Sequence, residues 1–426
     1  MPMAYVQFDA SFCTGCAKCV RACPTKAIRI RGERAVLIEH LCIGCGECIR
    51  VCPEGAVISA ISSGQFVKSE KFSVAIISPI LYSQFPGVMP CDVLLGLNHI
   101  GFDHAIDLSY YLEMHQYAAE EFIVRNRETG ENPWPLISPI CPVICRLIAL
   151  KYPDLLDHIL PLKRPVALIG EGVRSQIARE FVVAKEDVQL YHLTPCASKM
   201  ISAGIDVFAD SPCMDAILGI NDIYPQLSAA VEQIKNMELC FYPCQRITFL
   251  PNARAPMWGM SGGEIAGMNV ERVLAVDGLQ EVIQYIEKID MGLFKDMEYI
   301  ELRACSEGCL GGSFTAVDKY IARSSAQKLI KMFGVGRRIQ RGKLRRIYDQ
   351  GWFHSSIEPE EMFKNFLGGE PPLTIGQMQQ IEEILEKVPG KDCGICGAPD
   401  CRTFAEDVVR GRAELRDCYW FQLDKN

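Results

Sequence analysis

The sequence has no excess of positive charge. Its 44 Lys and Arg stand against 52 Asp and Glu, for a net charge of −8. A polyanion such as nucleic acid is therefore not an expected partner. Long apolar runs are also missing. The longest, Val74 to Leu81, contains Ser78 and Pro79 and falls well short of the roughly 20 residues that cross a bilayer. No membrane span is expected, and the stretch reads as a buried strand. The opening Met1-Pro2-Met3-Ala4-Tyr5-Val6 has no charged-then-apolar leader, so export is not expected. What the chain does have is cysteine, 21 in 426 residues. Without export, that many thiols point to metal rather than to disulfides, and to a cytoplasmic protein of a reducing, anaerobic cell. With 49% hydrophobic residues the chain can bury a large core, and its length suggests roughly two to four domains.

The first 60 residues contain an internal repeat. Cys13-x2-Cys16-x2-Cys19-x3-Cys23-Pro24 is matched by Cys42-x2-Cys45-x2-Cys48-x3-Cys52-Pro53, and the tails Thr25-Lys26-Ala27-Ile28 and Glu54-Gly55-Ala56-Val57 also correspond. This doubled run resembles a bacterial two-cluster ferredoxin. The resemblance implies an α+β module in which three cysteines of one run and the fourth of the other hold each 4Fe-4S cluster. On that basis Cys13, Cys16, Cys19 and Cys52 hold one cluster, and Cys42, Cys45, Cys48 and Cys23 the other. Structural zinc is the alternative. So short a module buries little core, and its clusters are expected to help keep it folded.

A polar stretch, residues 61–71, reads as a linker. An α/β pattern follows. Strands are expected at Val74–Ile77, Ala105–Leu108, Val166–Ile169 and Val188–Leu193, with helices at Val93–Ile100, Leu112–Arg125 and Ser175–Val183. Such alternation argues a mostly parallel sheet covered on both faces, with ligands beyond the carboxyl ends of the strands. Phe314–Phe333 has helical spacing and leads into the basic run Arg337 to Arg346, which reads as a solvated helix face. Residues 367–373 look like a second linker and Ile375–Val388 like a helix.

Three loops in the middle of the chain carry cysteines beside proline or glycine: Ser138-Pro139-Ile140-Cys141-Pro142, Thr194-Pro195-Cys196-Ala197-Ser198-Lys199, and Cys305-Ser306-Glu307-Gly308-Cys309-Leu310-Gly311-Gly312. Each follows a strand-like run. In this order they resemble the three signature loops of the FeFe-hydrogenase catalytic domain, over roughly residues 72–330. The resemblance implies an α/β domain with parallel sheets and a cofactor between two lobes. That cofactor, the H-cluster, is a 4Fe-4S cluster joined to a di-iron unit bearing CO, cyanide and a dithiolate. Carried over, Cys141, Cys196, Cys305 and Cys309 are its ligands, Cys309 is the bridge, and Lys199 donates a hydrogen bond to a cyanide. A buried ammonium is costly unless something anionic answers it.

The loops also depart from the family. Ile140 stands where a proton-carrying cysteine is usual, and an aliphatic side chain carries no proton. Arg303 replaces a methionine, and Ser313-Phe314 a glycine and a glutamine. The loop Trp258-Gly259-Met260-Ser261-Gly262-Gly263-Glu264 resembles one that lines the family's active site, which marks Glu264 as a carboxylate to carry protons; Glu301, in an apolar run four residues before Cys305, is the other.

The C-terminus has Cys393-x2-Cys396-x4-Cys401-x16-Cys418. It resembles the small 4Fe-4S domain of corrinoid iron–sulfur proteins and of some hydrogenases, with zinc as the alternative. The expected domains are thus 1–65, a ferredoxin module; 72–366, the catalytic domain; and 374–426, a small helical 4Fe-4S domain. The order resembles that of the sensory-type FeFe-hydrogenases. It implies slow, reversible H2 oxidation and proton reduction, electron relay through three accessory 4Fe-4S clusters, a ferredoxin or signalling protein as redox partner, and dependence on hydrogenase maturation proteins. The rivals are an iron–sulfur protein related to hydrogenases but lacking the di-iron unit, and an electron-transfer subunit of a corrinoid system. The remaining cysteines, Cys91, Cys145, Cys213, Cys240 and Cys244, read as small buried hydrophobes.

Overall fold

A computed structural model describes residues 6–59, 66–200, 214–236, 254–333, 340–355, 361 and 371–423. Cys213, Cys240, Cys244, Arg337, Arg338, most of the first linker's start and residues 367–370 of the second lie outside the described residues. The chain forms two compact units, Met1–Ala60 with Phe366–Asn426, and Ile61–Asn365.

In the first unit the repeat becomes a near-symmetric pair. Strand β1 (Val6–Phe8) needs a partner from the far end of the module, while β2 (Ile28–Arg31) and β3 (Arg34–Leu37) form a hairpin. The partner of β1 is β4 (Val57–Ser59), antiparallel in the register Val6↔Ser59. Two five-residue helices, Lys18–Ala22 and Glu47–Val51, pack on each other and bury Cys19 and Cys48. The symmetry reaches single hydrogen bonds. The Ala27 N–H donates to Cys23 Sγ at 3.2 Å and the Ala56 N–H to Cys52 Sγ at 3.3 Å, at the same offset in each run. The C-terminal part is helical. Thr374 and Gln377 close a capping box on the helix Ile375–Lys387, and the Asp400 carboxylate accepts from the Thr403 N–H at 2.7 Å to cap the helix Cys401–Val409. Ile381, Ile384, Phe404 and Ala405 form its core.

The second unit is α/β. Strand β5 (Phe72–Ile77) lies between β6 (His104–Asp107) and β8 (Val188–Thr194), and β9 (Ala216–Gly219) extends the sheet beyond β8; all pairings are parallel. Val74, Ala75, Ile76 and Ile77 are wholly buried. A run apolar at every position is what a strand covered on both faces requires. A second parallel sheet has β11 (Tyr299–Arg303) between β10 (Val273–Asp277) and the two-residue β7 (Leu136–Ile137). The helices Pro90–His99, Ser109–Thr129 and Lys319–Phe333 overlap those expected from the sequence.

One expectation is corrected. Val166–Ile169 is not a strand but the opening of a continuous helix, Pro165–Phe181. Proline at the first helical position needs no N–H bond and already has helical φ. A four-residue apolar run does not by itself distinguish a strand from a buried helical turn. Among the described residues no helix is long and apolar enough to cross a membrane.

Candidate metal centres

The three central cysteine loops leave the carboxyl ends of β7, β8 and β11, and backbone bonds tie the third to the second and to the loop around Gly259. The Cys309 N–H donates to the Gly259 carbonyl at 2.7 Å, and the Phe314 N–H to the Pro195 carbonyl at 3.0 Å. Gly312 comes so near the second loop that a Cβ would meet the Pro195 oxygen at 2.2 Å, which accounts for glycine there. Ser313, a departure from the family pattern, accepts from the Ala197 N–H through Oγ at 3.3 Å. The Arg146 guanidinium donates to Ser198 Oγ at 2.7 Å and anchors the turn that carries Lys199. Cys196 lies within electrostatic reach of Cys141 and Cys309. Burial pushes its thiol up, and Lys199 pulls it back. Cysteines gathered in a half-buried site favour a polyvalent cation, which deprotonates its thiol ligands outright.

Beside these loops a largely apolar cavity is walled by Ile140, Leu108, Met214 and Ile217, with Lys199, Arg164, His192 and Ser78 as polar members. His192 is buried. Its Nδ1 lies 3.3 Å from the Ile76 carbonyl, so the neutral ring that donates there keeps Nε2 as an acceptor. That Nε2 has no hydrogen-bond partner among the described residues. Burial, then the Lys199 ammonium, pushes the ring down to about 3, so it is neutral near pH 7. A buried orphan polar atom costs about 1–3 kcal/mol. Its position in a cavity that also bears Lys199, Arg164 and Ser78 and adjoins the cysteine loops fits a compact ligand with polar groups of its own.

Neither expected carboxylate is solvated. Glu264 and Glu301 are both 0% exposed. Glu264 accepts from Ser138 Oγ at 2.9 and 3.0 Å, from the Tyr299 hydroxyl at 2.5 Å and from Arg303 at 2.8 Å. Glu301 accepts from Arg303 Nε at 3.0 Å and from the backbone N–H groups of Glu264 and Ile265 at 3.1 and 3.3 Å. Burial pushes Glu301 up, Arg303 opposes this, and Glu264 adds to it. Burial acts to lower Arg303, but Glu301, Glu264, Cys309 and Cys141 more than offset it and hold the guanidinium charged. Arg303 is thus the hub of this network. The sequence marks it only as a residue where methionine is usual.

The first unit gathers the other cysteines. Cys13, Cys16, Cys19 and Cys52 line one cavity with Phe8, Ile30 and Ala35. Cys23 lies in electrostatic reach of Cys45 and Cys48, which are also coupled to Cys42. The runs therefore exchange their fourth cysteines. Cys393, Cys396, Cys401 and Cys418 line a third cavity under Phe404 and Trp420. Of the spare cysteines, Cys145 is buried, with its thiol toward the Pro139 carbonyl at 3.6 Å and its pKa pushed up to about 12 by burial. It behaves as a core residue.

The family model of the iron-only hydrogenase large subunit, C-terminal domain, matches residues 71–269 and 258–313. The chain belongs to the iron-only hydrogenase large-subunit family. A 4Fe-4S dicluster model matches residues 5–65 and an Fe-S cluster model residues 388–419. The NADP-reducing hydrogenase subunit HndD of Solidesulfovibrio fructosivorans is 21% identical over 70% of this chain and 55% of its own length. Iron hydrogenase 1 of Clostridium pasteurianum is 22% identical over 52% of this chain and 44% of its own. The chain spans about half the length of these curated relatives. Among solved structures, a variant of the FeFe-hydrogenase HydA1 of Chlamydomonas reinhardtii superposes with a TM-score of 0.50 at 16% identity, covering 70% of this chain and 95% of that one. The hydrogenase fold is shared.

Replacing Cys401 with serine is expected to remove about four irons per chain. Iron analysis of anaerobically purified protein checks this, and zinc recovered from that site would refute it.

Proposed function

We propose that this chain is a sensory-type FeFe-hydrogenase of the cytoplasm, interconverting H2 with protons and electrons slowly. The observation that carries the reading is that Cys196 lies within electrostatic reach of Cys141 and Cys309, beside a cavity bearing Lys199 and the orphan His192 Nε2. Cys141, Cys196, Cys305 and Cys309 would hold the cubane of the H-cluster, with Cys309 bridging to the di-iron unit. When bound, that unit supplies an open iron for H2 chemistry. Lys199 supplies donors to an anionic ligand in the cavity, and the apolar wall excludes water and strengthens that hydrogen bond. The remaining twelve motif cysteines would hold three accessory 4Fe-4S clusters that relay electrons to a ferredoxin or signalling partner.

Ile140 lies on the cavity wall and is buried. It places an alkyl group where resembling enzymes have a thiol, so proton delivery is slow. Of the two carboxylates, Glu301 fits a carrier better, because burial raises it toward a useful range. Glu264 has both oxygens occupied by Ser138, Tyr299 and Arg303.

Protein produced with the hydrogenase maturation proteins is expected to evolve H2 slowly from a reduced viologen. Ile140→Cys is expected to raise that rate by about 10²-fold, the lower end of what a positioned proton carrier contributes. Absence of H2 chemistry in both matured proteins would overturn the reading and favour an iron–sulfur protein without a di-iron unit.

A further inference from the structure

The strand β2 and the loop after Cys396 come from opposite ends of the chain, yet they are bonded backbone to backbone. The Ile30 N–H donates to the Gly397 carbonyl at 2.8 Å. Gly397 has φ +82, and a Cβ there would meet the Ile30 carbonyl oxygen at 2.1 Å, so only glycine allows this approach. Next to it, Arg31 donates to the Cys396 carbonyl at 3.1 Å.

A buried ion pair fixes the register. Arg29 grips Asp407 with two hydrogen bonds, Nε to Oδ2 at 2.5 Å and Nη2 to Oδ1 at 3.1 Å, and Arg31 adds a third to Oδ2 at 3.0 Å. Arg29 is 4% exposed and Asp407 is 0% exposed. Lys26 pairs with Asp400 at 2.6 Å on the rim. Two-pronged arginine–carboxylate contacts specify geometry as well as attraction, and a buried pair of this kind is better explained by register than by stability.

We propose that this contact is an electron-transfer junction between the C-terminal cluster and the ferredoxin cluster held by Cys13, Cys16, Cys19 and Cys52. It rests on the reading of both cysteine sets as cubane ligands. Ile30 is the link. Its N–H is bonded to the residue that follows Cys396, and it also lines the cavity of Cys13, Cys16, Cys19 and Cys52. One electron leaves the reduced cubane of one lobe, which returns to its oxidised state, and enters the oxidised cubane of the other. No bond forms or breaks and no proton moves. A one-electron carrier of the ferredoxin class supplies or removes the electron at the outer end. Tunnelling falls steeply with separation, so the ion pair matters by holding the two cluster loops together.

The test uses the full chain, anaerobically purified and reduced with dithionite. Its electron paramagnetic resonance spectrum is expected to show spin–spin broadening, of which the part between the C-terminal cluster and the ferredoxin module is lost in Cys401→Ser, which lacks the C-terminal cluster, while the coupling within the ferredoxin pair remains. Asp407→Asn is expected to keep its full iron content, to lose most of the part that Cys401→Ser removes, and to speed amide exchange at Ile30 at least about tenfold, one factor of ten for each 1.4 kcal/mol of protection lost. Arg29→Gln gives the same result by removing the other partner. Unchanged broadening in Cys401→Ser, or full broadening in both ion-pair variants with Ile30 exchanging freely, would overturn the proposal. None of these readouts involves the di-iron unit. A failure to find H2 chemistry would therefore leave this test intact, and missing C-terminal iron would identify the cubane assignment as the fault.

Discussion

Arg303→Met is expected to destabilise the second unit by about 3–5 kcal/mol, the usual cost of removing one partner from a buried ion pair. The substituted residue is the one common in the family, so the side chain itself suits the position. The cost comes from what it leaves behind. Glu264 and Glu301 both direct carboxylate oxygens at the guanidinium and both are buried. Without Arg303 the two buried carboxylates lose the cation they share. Glu301 loses the one charge that opposes its raised pKa. The triple variant Arg303→Met, Glu264→Gln, Glu301→Gln removes all three charges and is expected to recover more than half of the loss, because charged groups in one network couple strongly. Urea unfolding of iron-loaded protein, followed by tyrosine fluorescence and by cluster absorbance together, measures both. Equal stability of the single variant and the parent would mean that Arg303 is solvated.

Acid is expected to weaken the fold well above the carboxylate range. His115 and His192 are both fully buried, and burial pushes the first down to about 4 and the second to about 3. In the unfolded chain each takes a proton near pH 6.5. Between pH 6.5 and about 4 the unfolded state therefore binds about two more protons than the folded state. Stability falls as pH falls, by up to about 3 kcal/mol per pH unit for the two together. Glu301 acts in the opposite direction, since its raised carboxyl takes a proton in the folded state first. Asp107, which burial also raises, acts with it, while His40 and His354, which burial lowers, act with the two histidines. His115 also shows how tightly such a ring is held. Its Nδ1 bonds the Lys163 carbonyl at 3.0 Å, and Trp258 and Arg303 lie nearby. Unfolding midpoints at pH 7 and pH 5 test this. A flat response, or one unchanged in His192→Asn and His115→Asn, would contradict it.

The cysteine runs are legible because their spacing is a local property of the sequence. The exchange of Cys23 and Cys52 between the two runs follows from a repeat whose halves pack helix on helix. Strand β5 is legible because it is apolar at nearly every position, and β8 through Val188, Leu190, Tyr191 and Leu193; β7 is not, because two residues carry no period. Val166–Ile169 failed for the same reason, since four apolar residues suit either element and Pro165 decides for helix. At the catalytic loops, cysteines, glycines and Lys199 show in the sequence, but the partners of Arg303 come from three places: Glu264, Glu301 and, through Glu264, Ser138 and Tyr299. No spacing rule joins them. His192 lies in a strand among apolar neighbours and gives no signal until its unsatisfied nitrogen is seen on the cavity wall. Ile30 and Gly397 meet only through the fold.

The infrared spectrum of the chain produced with and without the hydrogenase maturation proteins tests the hydrogenase reading most directly. The matured protein is expected to hold about 18 irons, four cubanes and one di-iron unit, and to show bands from iron-bound CO and cyanide. Protein made without maturation is expected to hold about 16 irons and show none. Lys199→Ala is expected to weaken or shift the cyanide bands, because it removes the donor in the cavity. A matured preparation with all cubanes filled and no bands in the CO and cyanide regions would contradict the account.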